Sequence, residues 1–115
     1  MPVDCLFCKV FRREIDSKEV FRDEDVLAFE DIRPVAPVHV LVIPKEHIPS
    51  VRDLRPNHDR LLMQMFEVAN RVAEERKISK DGYRLTINTG PQAGQSVHHL
   101  HLHLMGGRLM GWPPG

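Results

Sequence analysis

The apolar and polar positions of this 115-residue chain alternate with two different periods, and each period predicts one kind of element. Between Asp59 and Arg76 the apolar side chains recur every three or four residues, which predicts an amphipathic helix with one buried face. A shorter apolar rhythm predicts a first helix over residues 4–13, with Asp4 as its N-cap. The helical part of the chain is therefore one short and one long segment.

Five stretches between and after these helices are short and rich in β-branched or alternating apolar residues, which predicts strands. They cover residues 20–22, 26–31, 38–43, 83–88 and 97–105. The third stretch is the most apolar and is ended by Pro44, so we expect it at the centre of a sheet. Hairpin-sized links early in the chain favour an α+β fold, with a five-stranded antiparallel sheet and two helices in one domain over residues 1–115.

Charge and cysteine content narrow the class of protein. The chain has 16 basic and 16 acidic residues, so no overall field attracts it to nucleic acid or to an anionic membrane. It has no apolar run of about 18 residues, and its start does not resemble a secretion signal. Two cysteines three positions apart are a poor disulfide framework. We expect a cytoplasmic domain without nucleic-acid or membrane partners.

The last predicted strand carries three histidines that alternate with leucines. In an extended chain His99, His101 and His103 project from one face at intervals of roughly 6.5–7 Å, while the leucines enter a core. A neutral imidazole can attack an electrophile, transfer a proton or bind a metal. This row therefore indicates a chemical site.

The loop before this strand offers groups that suit an anion. Gly94, Gln95 and Ser96 supply backbone N–H groups, a side-chain amide and a hydroxyl. With a phosphorus electrophile, one histidine attacks while its neighbours hold the phosphoryl oxygens or deliver a proton. We predict His101 as the nucleophile because it has a histidine on each side, and His103 as a donor to the phosphoryl oxygens.

The histidine strand and its surroundings resemble a known family. The segment from His99 to Met105 matches the signature His-φ-His-φ-His-φ-φ, where φ is apolar, of the histidine-triad superfamily. The chain is similar over nearly its whole length to the Hint branch, the purine nucleoside phosphoramidate hydrolases. The similar segments are Ala28–Ile32, Leu41–His47, Gly94–Val97, Gly106–Arg108 and Trp112–Gly115. The resemblance implies a dimer whose protomers join their sheets edge to edge.

The resemblance also implies a reaction, the hydrolysis of purine nucleoside 5′-phosphoramidates or related acyl-adenylates through a nucleotidyl-histidine. By position it places the nucleophile at His101, a phosphate-binding histidine at His103 and a ribose-binding carboxylate at Asp31. Ser96 and His99 complete the implied catalytic set. The other implied contacts to an AMP-type nucleotide are Asn88, Gly94, Gln95 and Ser96 near the phosphate, and Leu6, Phe7, Phe29 and Ile32 in or near the purine slot.

Cys5 and Cys8 admit three interpretations: a redox dithiol, half of a zinc site, or two small buried residues. Some members of the superfamily hold zinc with such a pair and two histidines, which implies His47 and His99 as the remaining ligands. That zinc site would be structural, because four protein ligands leave no open position. His39, on the central strand, is expected to be a hydrogen-bonded structural histidine.

Two other functions fit the same residues. Dinucleoside polyphosphate hydrolysis or nucleotide transfer stays within the superfamily, and a zinc-stabilised nucleotide-binding scaffold needs no turnover. The tail over residues 106–115 has no periodicity but contains the only tryptophan of the chain. We expect it to form an arm that docks near the site of a neighbouring protomer.

Overall fold

The computed structural model describes residues 4–115, so residues 1–3 of the predicted domain lie outside the described range. The strands are β1 Glu19–Arg22, β2 Val26–Glu30, β3 Val38–Pro44, β4 Tyr83–Thr86 and β5 Leu102–Gly106, and the helices are α1 Leu6–Phe11 and α2 Asp59–Glu75. All neighbouring strands are antiparallel, in the order β1-β2-β3-β5-β4. The predicted α+β fold is therefore confirmed. Within residues 4–115 no helix is long and apolar enough to cross a membrane.

The two faces of the sheet have different partners. One face packs against α2, where strand residues such as Val42 and Leu104 meet Met65 in the larger core. The other face packs against α1, where Leu41 and its neighbours meet Phe7. Because successive strand residues point to opposite faces, the alternation in β3 and β5 divides the protein into these two layers.

The last strand is shorter than predicted, because it begins at Leu102 and not at residue 97. Its ladder with β3 ends where Val42 faces Leu102, and two residues further along the same register Leu100 would face Pro44. Pro44 has no N–H to donate, so the ladder cannot continue there. The N–H of Leu100 donates instead to the carbonyl of Ile48. His99 and His101 therefore precede the strand on an irregular segment.

The first helix is also capped differently from the prediction. Cys5, and not Asp4, is the N-cap, and its sulfur accepts a hydrogen bond from the N–H of Cys8 at 3.3 Å. A cysteine takes this position because its sulfur also belongs to a cluster of cysteine and histidine side chains described below. The remaining element boundaries agree with their predicted positions to within two residues.

Candidate active site

A cavity of about 420 Å³ opens on the sheet face that carries α1. Its volume lies in the range of small-molecule pockets, and its walls are largely apolar with a few convergent polar groups. The predicted site residues that line it are Leu6, Phe7, Phe29, Asp31, Ile32, Ser96, His101 and His103. Asn88, Gly94 and Gln95 do not line it, and neither does the imidazole of His99.

His101 is held in one tautomer by the backbone. Its Nδ1 lies 2.7 Å from the carbonyl oxygen of His99, and because a carbonyl can only accept, Nδ1 carries the proton. In the neutral ring the lone pair is then on Nε2, the nitrogen that can attack. The edge of the Phe7 ring packs against the same imidazole, with ring centroids 5.1 Å apart. A main-chain hydrogen bond thus determines which nitrogen of His101 keeps its lone pair.

His103 is held in the opposite tautomer by His39. The N–H of Val35 donates to Nδ1 of His39 at 3.1 Å, so the proton of the neutral His39 ring is on Nε2. That Nε2–H faces Nδ1 of His103 at 2.9 Å, which leaves the His103 proton on Nε2. Nε2 of His103 is buried and has no partner among the described residues. It is an unpaired donor on a residue that lines the cavity.

Burial keeps these rings neutral. Burial, together with the neighbouring His101 and His39, lowers the pKa of His103 to about 4, while Asp31 opposes the shift. Burial likewise lowers the pKa of His101 and of His39 below the usual value. Near neutral pH the cavity therefore contains a neutral imidazole with a lone pair on Nε2, that of His101, and a neutral hydrogen-bond donor, that of His103.

The sequence identified His39 as a structural histidine, and the structure gives it a part in the site. Leu41 of β3 lies directly opposite His103 of β5, and His39 is two residues from Leu41 on the same face. The sequence does show a histidine on the predicted central strand. To place that histidine beside His103, however, one needs the register between β3 and β5, which the sequence does not provide.

Asp31 follows β2 and lines the cavity beside these histidines. Its Oδ1 accepts the N–H of Arg33 at 2.8 Å, and its Oδ2 lies 3.4 Å from Nε2 of His39. Each carboxylate oxygen can accept more than one hydrogen bond. The side chain is therefore positioned by the protein and still has capacity for ligand hydroxyls.

In the loop before β5, the side chain of Gln95 is engaged within the protein. It accepts the N–H of Gly90 and donates to the carbonyls of Pro49 and Val97. Gly94 adopts a φ of +81°, which favours glycine, and the loop turns there. These residues shape the loop, while the exposed Ser96 reaches the cavity wall.

Beside the cavity, the side chains of Cys5, Cys8, His47 and His99 bring four donor atoms within 4.8 Å of one another. The Nδ1 atoms of the two histidines are 3.2 Å apart, and sulfur-to-nitrogen distances are 3.3–3.6 Å. Tetrahedral zinc with its usual bond lengths places such atoms about 3.3–3.8 Å apart. The spacing therefore fits a zinc ion.

The protonation states in this cluster also fit a cation. Nε2 of His99 lies 2.8 Å from the carbonyl of Pro44, so it carries the proton and Nδ1 presents a lone pair to the cluster. Burial and the neighbouring Cys5 raise the pKa of the Cys8 thiol to about 11, so its thiolate needs a compensating positive charge. A bound metal ion would provide that charge.

A second group of possible ligands does not fit a metal. Asp31, His39 and His103 also lie within 4.8 Å of one another. However, Nδ1 of His39 accepts the N–H of Val35, so its Nε2 is protonated and has no lone pair for an ion. We assign this group to hydrogen bonding.

Comparisons with known proteins agree with this geometry. A family model described as scavenger mRNA decapping enzyme C-terminal binding matches residues 4–111. The purine nucleoside phosphoramidase of Escherichia coli (strain K12) is 47% identical over 96% of this chain and 93% of its own. The 14 kDa zinc-binding protein of Zea mays is 46% identical over 96% of this chain and 87% of its own. A HIT family hydrolase from Legionella pneumophila superposes with a TM-score of 0.96 at 47% identity, covering 97% of this chain and all of its own.

The hydrogen bonds predict a distinct NMR signature for the histidines. ¹⁵N shifts should show the proton of His101 on Nδ1 and those of His39 and His103 on Nε2. His103 should titrate close to pH 4, well below the usual value near 6.5, because its surroundings exclude water. Since the unfolded chain binds this proton near pH 6.5, His103 contributes to a loss of stability as pH falls through that interval. A His103 midpoint near 6.5, or a proton on its Nδ1, would contradict this arrangement.

Proposed function

Because the chain belongs to the histidine triad (HIT) family, we propose that it hydrolyses purine nucleoside 5′-phosphoramidates or related acyl-adenylates through a nucleotidyl-His101 intermediate. The observation that carries this proposal is the hydrogen bond from Nδ1 of His101 to the His99 carbonyl, which leaves Nε2 with its lone pair. The name of the E. coli relative, purine nucleoside phosphoramidase, supports the substrate class.

The reaction takes place in two displacements at one phosphorus atom. The lone pair of His101 Nε2 forms a bond to phosphorus while the bond from phosphorus to the amine nitrogen breaks, and the amine departs after it gains a proton. Water then attacks phosphorus, the bond to Nε2 breaks, and a proton is lost as the nucleoside monophosphate leaves. The net reaction consumes one water molecule and releases an amine and a nucleoside monophosphate.

The other cavity residues bind the nucleotide. We assign the free Nε2–H of His103 to a phosphoryl oxygen and the exposed hydroxyl of Ser96 to the leaving group. Asp31 accepts hydrogen bonds from the ribose hydroxyls, because a carboxylate is an acceptor only. The aromatic rings of Phe7 and Phe29, whose centroids are 5.6 Å apart, form the centre of the slot for the purine.

We further propose that Cys5, Cys8, His47 and His99 hold one structural zinc ion. When bound, zinc would supply a fixed connection between α1 and the segment before β5. Phe7, between the two cysteines, contacts the rings of both His99 and His101. The ligand set therefore stabilises one wall of the purine slot and the carbonyl that orients the nucleophile. Two reduced cysteines in this role also favour a cytoplasmic location.

We propose a symmetric dimer that joins the sheets at β4. The opposite edge strand, β1, is protected by Glu19, which forms ion pairs with Arg13 and Arg22. The β4 edge instead borders a cavity of about 650 Å³, whose lining includes residues of the arm. Unpaired strand edges favour pairing with another chain unless they are charged or covered. The less protected edge is therefore the better interface.

The arm supports this arrangement. Hydrogen bonds attach it to its own protomer, since Arg108 donates to the carbonyl of Val35 and Arg84 donates to that of Gly111. Two of its apolar side chains are nevertheless exposed, with 93% of Leu109 and 82% of Trp112 accessible. Such side chains on a fixed arm favour contact with a second protomer.

The nucleophile assignment predicts a specific loss in His101→Ala. kcat should fall at least about 10³-fold, because the covalent step is removed. The dissociation constant for AMP should change only a few-fold. Mass spectrometry of quenched wild-type reactions should find the nucleotide on His101. His58→Ala, a histidine outside the cavity, is the matched control and should retain activity.

The result that contradicts this assignment is an adduct on His99 or His103, or turnover that survives the loss of His101. A panel containing AMP phosphoramidates, acyl-adenylates and a dinucleoside polyphosphate ranks the substrate classes. A protein that binds AMP but forms no adduct with any member of the panel would be a binding module.

The zinc assignment predicts near one zinc ion per chain in protein purified without chelator. Cys8→Ser should lose most of the metal, whereas His98→Ala, which alters the neighbour of a ligand, should retain it. Because the ligands support the slot, we expect metal removal to weaken AMP binding about 5- to 100-fold, and added zinc to restore it. Calorimetry of the metal-free and reloaded protein provides this measurement. Equal AMP affinities, or a Cys5–Cys8 disulfide in the purified protein, would contradict the assignment.

The arm assignment predicts that a chain ending at Arg108 stays folded and retains its metal. Its kcat/KM should change unequally across substrates with different leaving groups, because the arm lies near the partner's site. Trp112→Ala, with the arm at full length, should reproduce part of the change. Sedimentation analysis reports the oligomeric state of each variant. A truncated chain that is still dimeric and kinetically unchanged would leave the arm without this role.

A further inference from the structure

Two buried polar side-chain atoms among residues 4–115 have no hydrogen-bond partner: Nε2 of His103 and Oγ of Ser17. Both residues line the same 420 Å³ cavity. Buried polar groups in folded proteins are normally paired, so an unpaired one requires an explanation. For Nε2 of His103 the proposed function supplies a partner, a phosphoryl oxygen of the nucleotide. Ser17 has no such assignment, and it lies in the same cavity.

The register of the sheet locates Ser17. The N–H of Glu30 donates to the carbonyl of Lys18 at 3.0 Å, which continues the pairing of β1 with β2 by one residue. The next pair sets Ser17 opposite Asp31. Side chains directly opposite in an antiparallel pair lie on the same face. The Ser17 hydroxyl therefore belongs to the region where the ribose-binding carboxylate meets the apolar slot.

The neighbours of Ser17 in the cavity indicate which part of a nucleotide it meets. Ile15, two residues earlier, and Phe29, two residues before Asp31, both line the cavity. In a nucleotide whose ribose hydroxyls bind Asp31 and whose base fills this slot, the nearest polar atom of the base is N3, on the edge next to the ribose. Purine N3 can only accept a hydrogen bond, and a serine hydroxyl can donate one.

We propose that Ser17 recognises the base by donating a hydrogen bond from its hydroxyl to purine N3. Because Oγ of Ser17 is buried in the free protein, this contact requires a change of the Ser17 χ1 rotamer toward the base. Adenine and guanine both present N3 as an acceptor, so the contact accepts both and does not discriminate between them. This inference rests on the proposed function, since it takes the cavity to be a nucleotide site.

The test is nucleotide binding to Ser17→Ala, measured by calorimetry. The affinities for AMP and GMP should both fall about three- to ten-fold, the range for one net hydrogen bond. The affinity for 3-deaza-AMP, in which a C–H replaces N3, should be the same in the variant and the wild type. Ser79→Ala, an exposed serine outside the cavity, is the matched control and should bind all nucleotides as the wild type does.

A stability measurement separates recognition from a structural role. Because Oγ of Ser17 has no partner in the free protein, its removal should leave the melting temperature of nucleotide-free protein unchanged or higher. A residue needed for folding would lower it. Weaker AMP binding together with undiminished stability supports the proposal.

Three results would overturn the inference. The first is an unchanged AMP affinity in Ser17→Ala. The second is an equal loss of affinity for AMP and 3-deaza-AMP. The third is an effect that disappears with 2′-deoxy-AMP, which would assign the hydroxyl to the ribose. If the wild-type chain binds AMP but Ser17→Ala gives one of these results, only the inference fails. If the wild-type chain binds no nucleotide, the proposed function fails as well.

Discussion

The site depends on one constraint: each buried imidazole gives one ring nitrogen to a fixed hydrogen-bond partner. Backbone carbonyls accept from His99 and His101, and a backbone N–H donates to His39, which in turn faces His103. Burial favours the neutral rings, and in a neutral ring the position of one proton determines the chemistry of the other nitrogen. The same residue type can therefore provide a metal ligand, a nucleophile and a donor within a few ångströms.

His99 connects the two halves of this arrangement. Its imidazole belongs to the cysteine and histidine cluster, while its carbonyl orients His101. The rest of the sheet supports both, because the face that packs on α2 forms the larger apolar core and the opposite face carries the cavity. Unpaired polar atoms on the cavity side reduce the stability of the free protein. A bound ligand can recover that free energy by pairing them.

Much of the secondary structure of this protein, and the choice of its buried faces, follows from periodicity in the sequence. The rhythm of apolar residues from Asp59 onward located α2, because a helix must bury one face. The alternation of leucine and histidine before Met105 predicted that the leucines enter a core, and Leu100, Leu102 and Leu104 are buried there. Residue type and spacing also indicated Cys5 and Cys8 as possible metal ligands and His101 as the candidate nucleophile. These properties depend on spacing along the chain, and spacing is visible without coordinates.

Contacts between distant segments were settled only by the tertiary structure. The sequence could not show that Pro44 ends the ladder of the histidine strand, because that depends on the register with which β3 meets β5. The same register brings His39 beside His103 across 64 positions of the chain. Ser17 is an ordinary loop serine until pairing with β2 places it opposite Asp31 and leaves its hydroxyl unpaired. Periodicity assigns a side chain to a face, whereas its partner, and therefore its protonation state and its role, depends on which other segment packs against it.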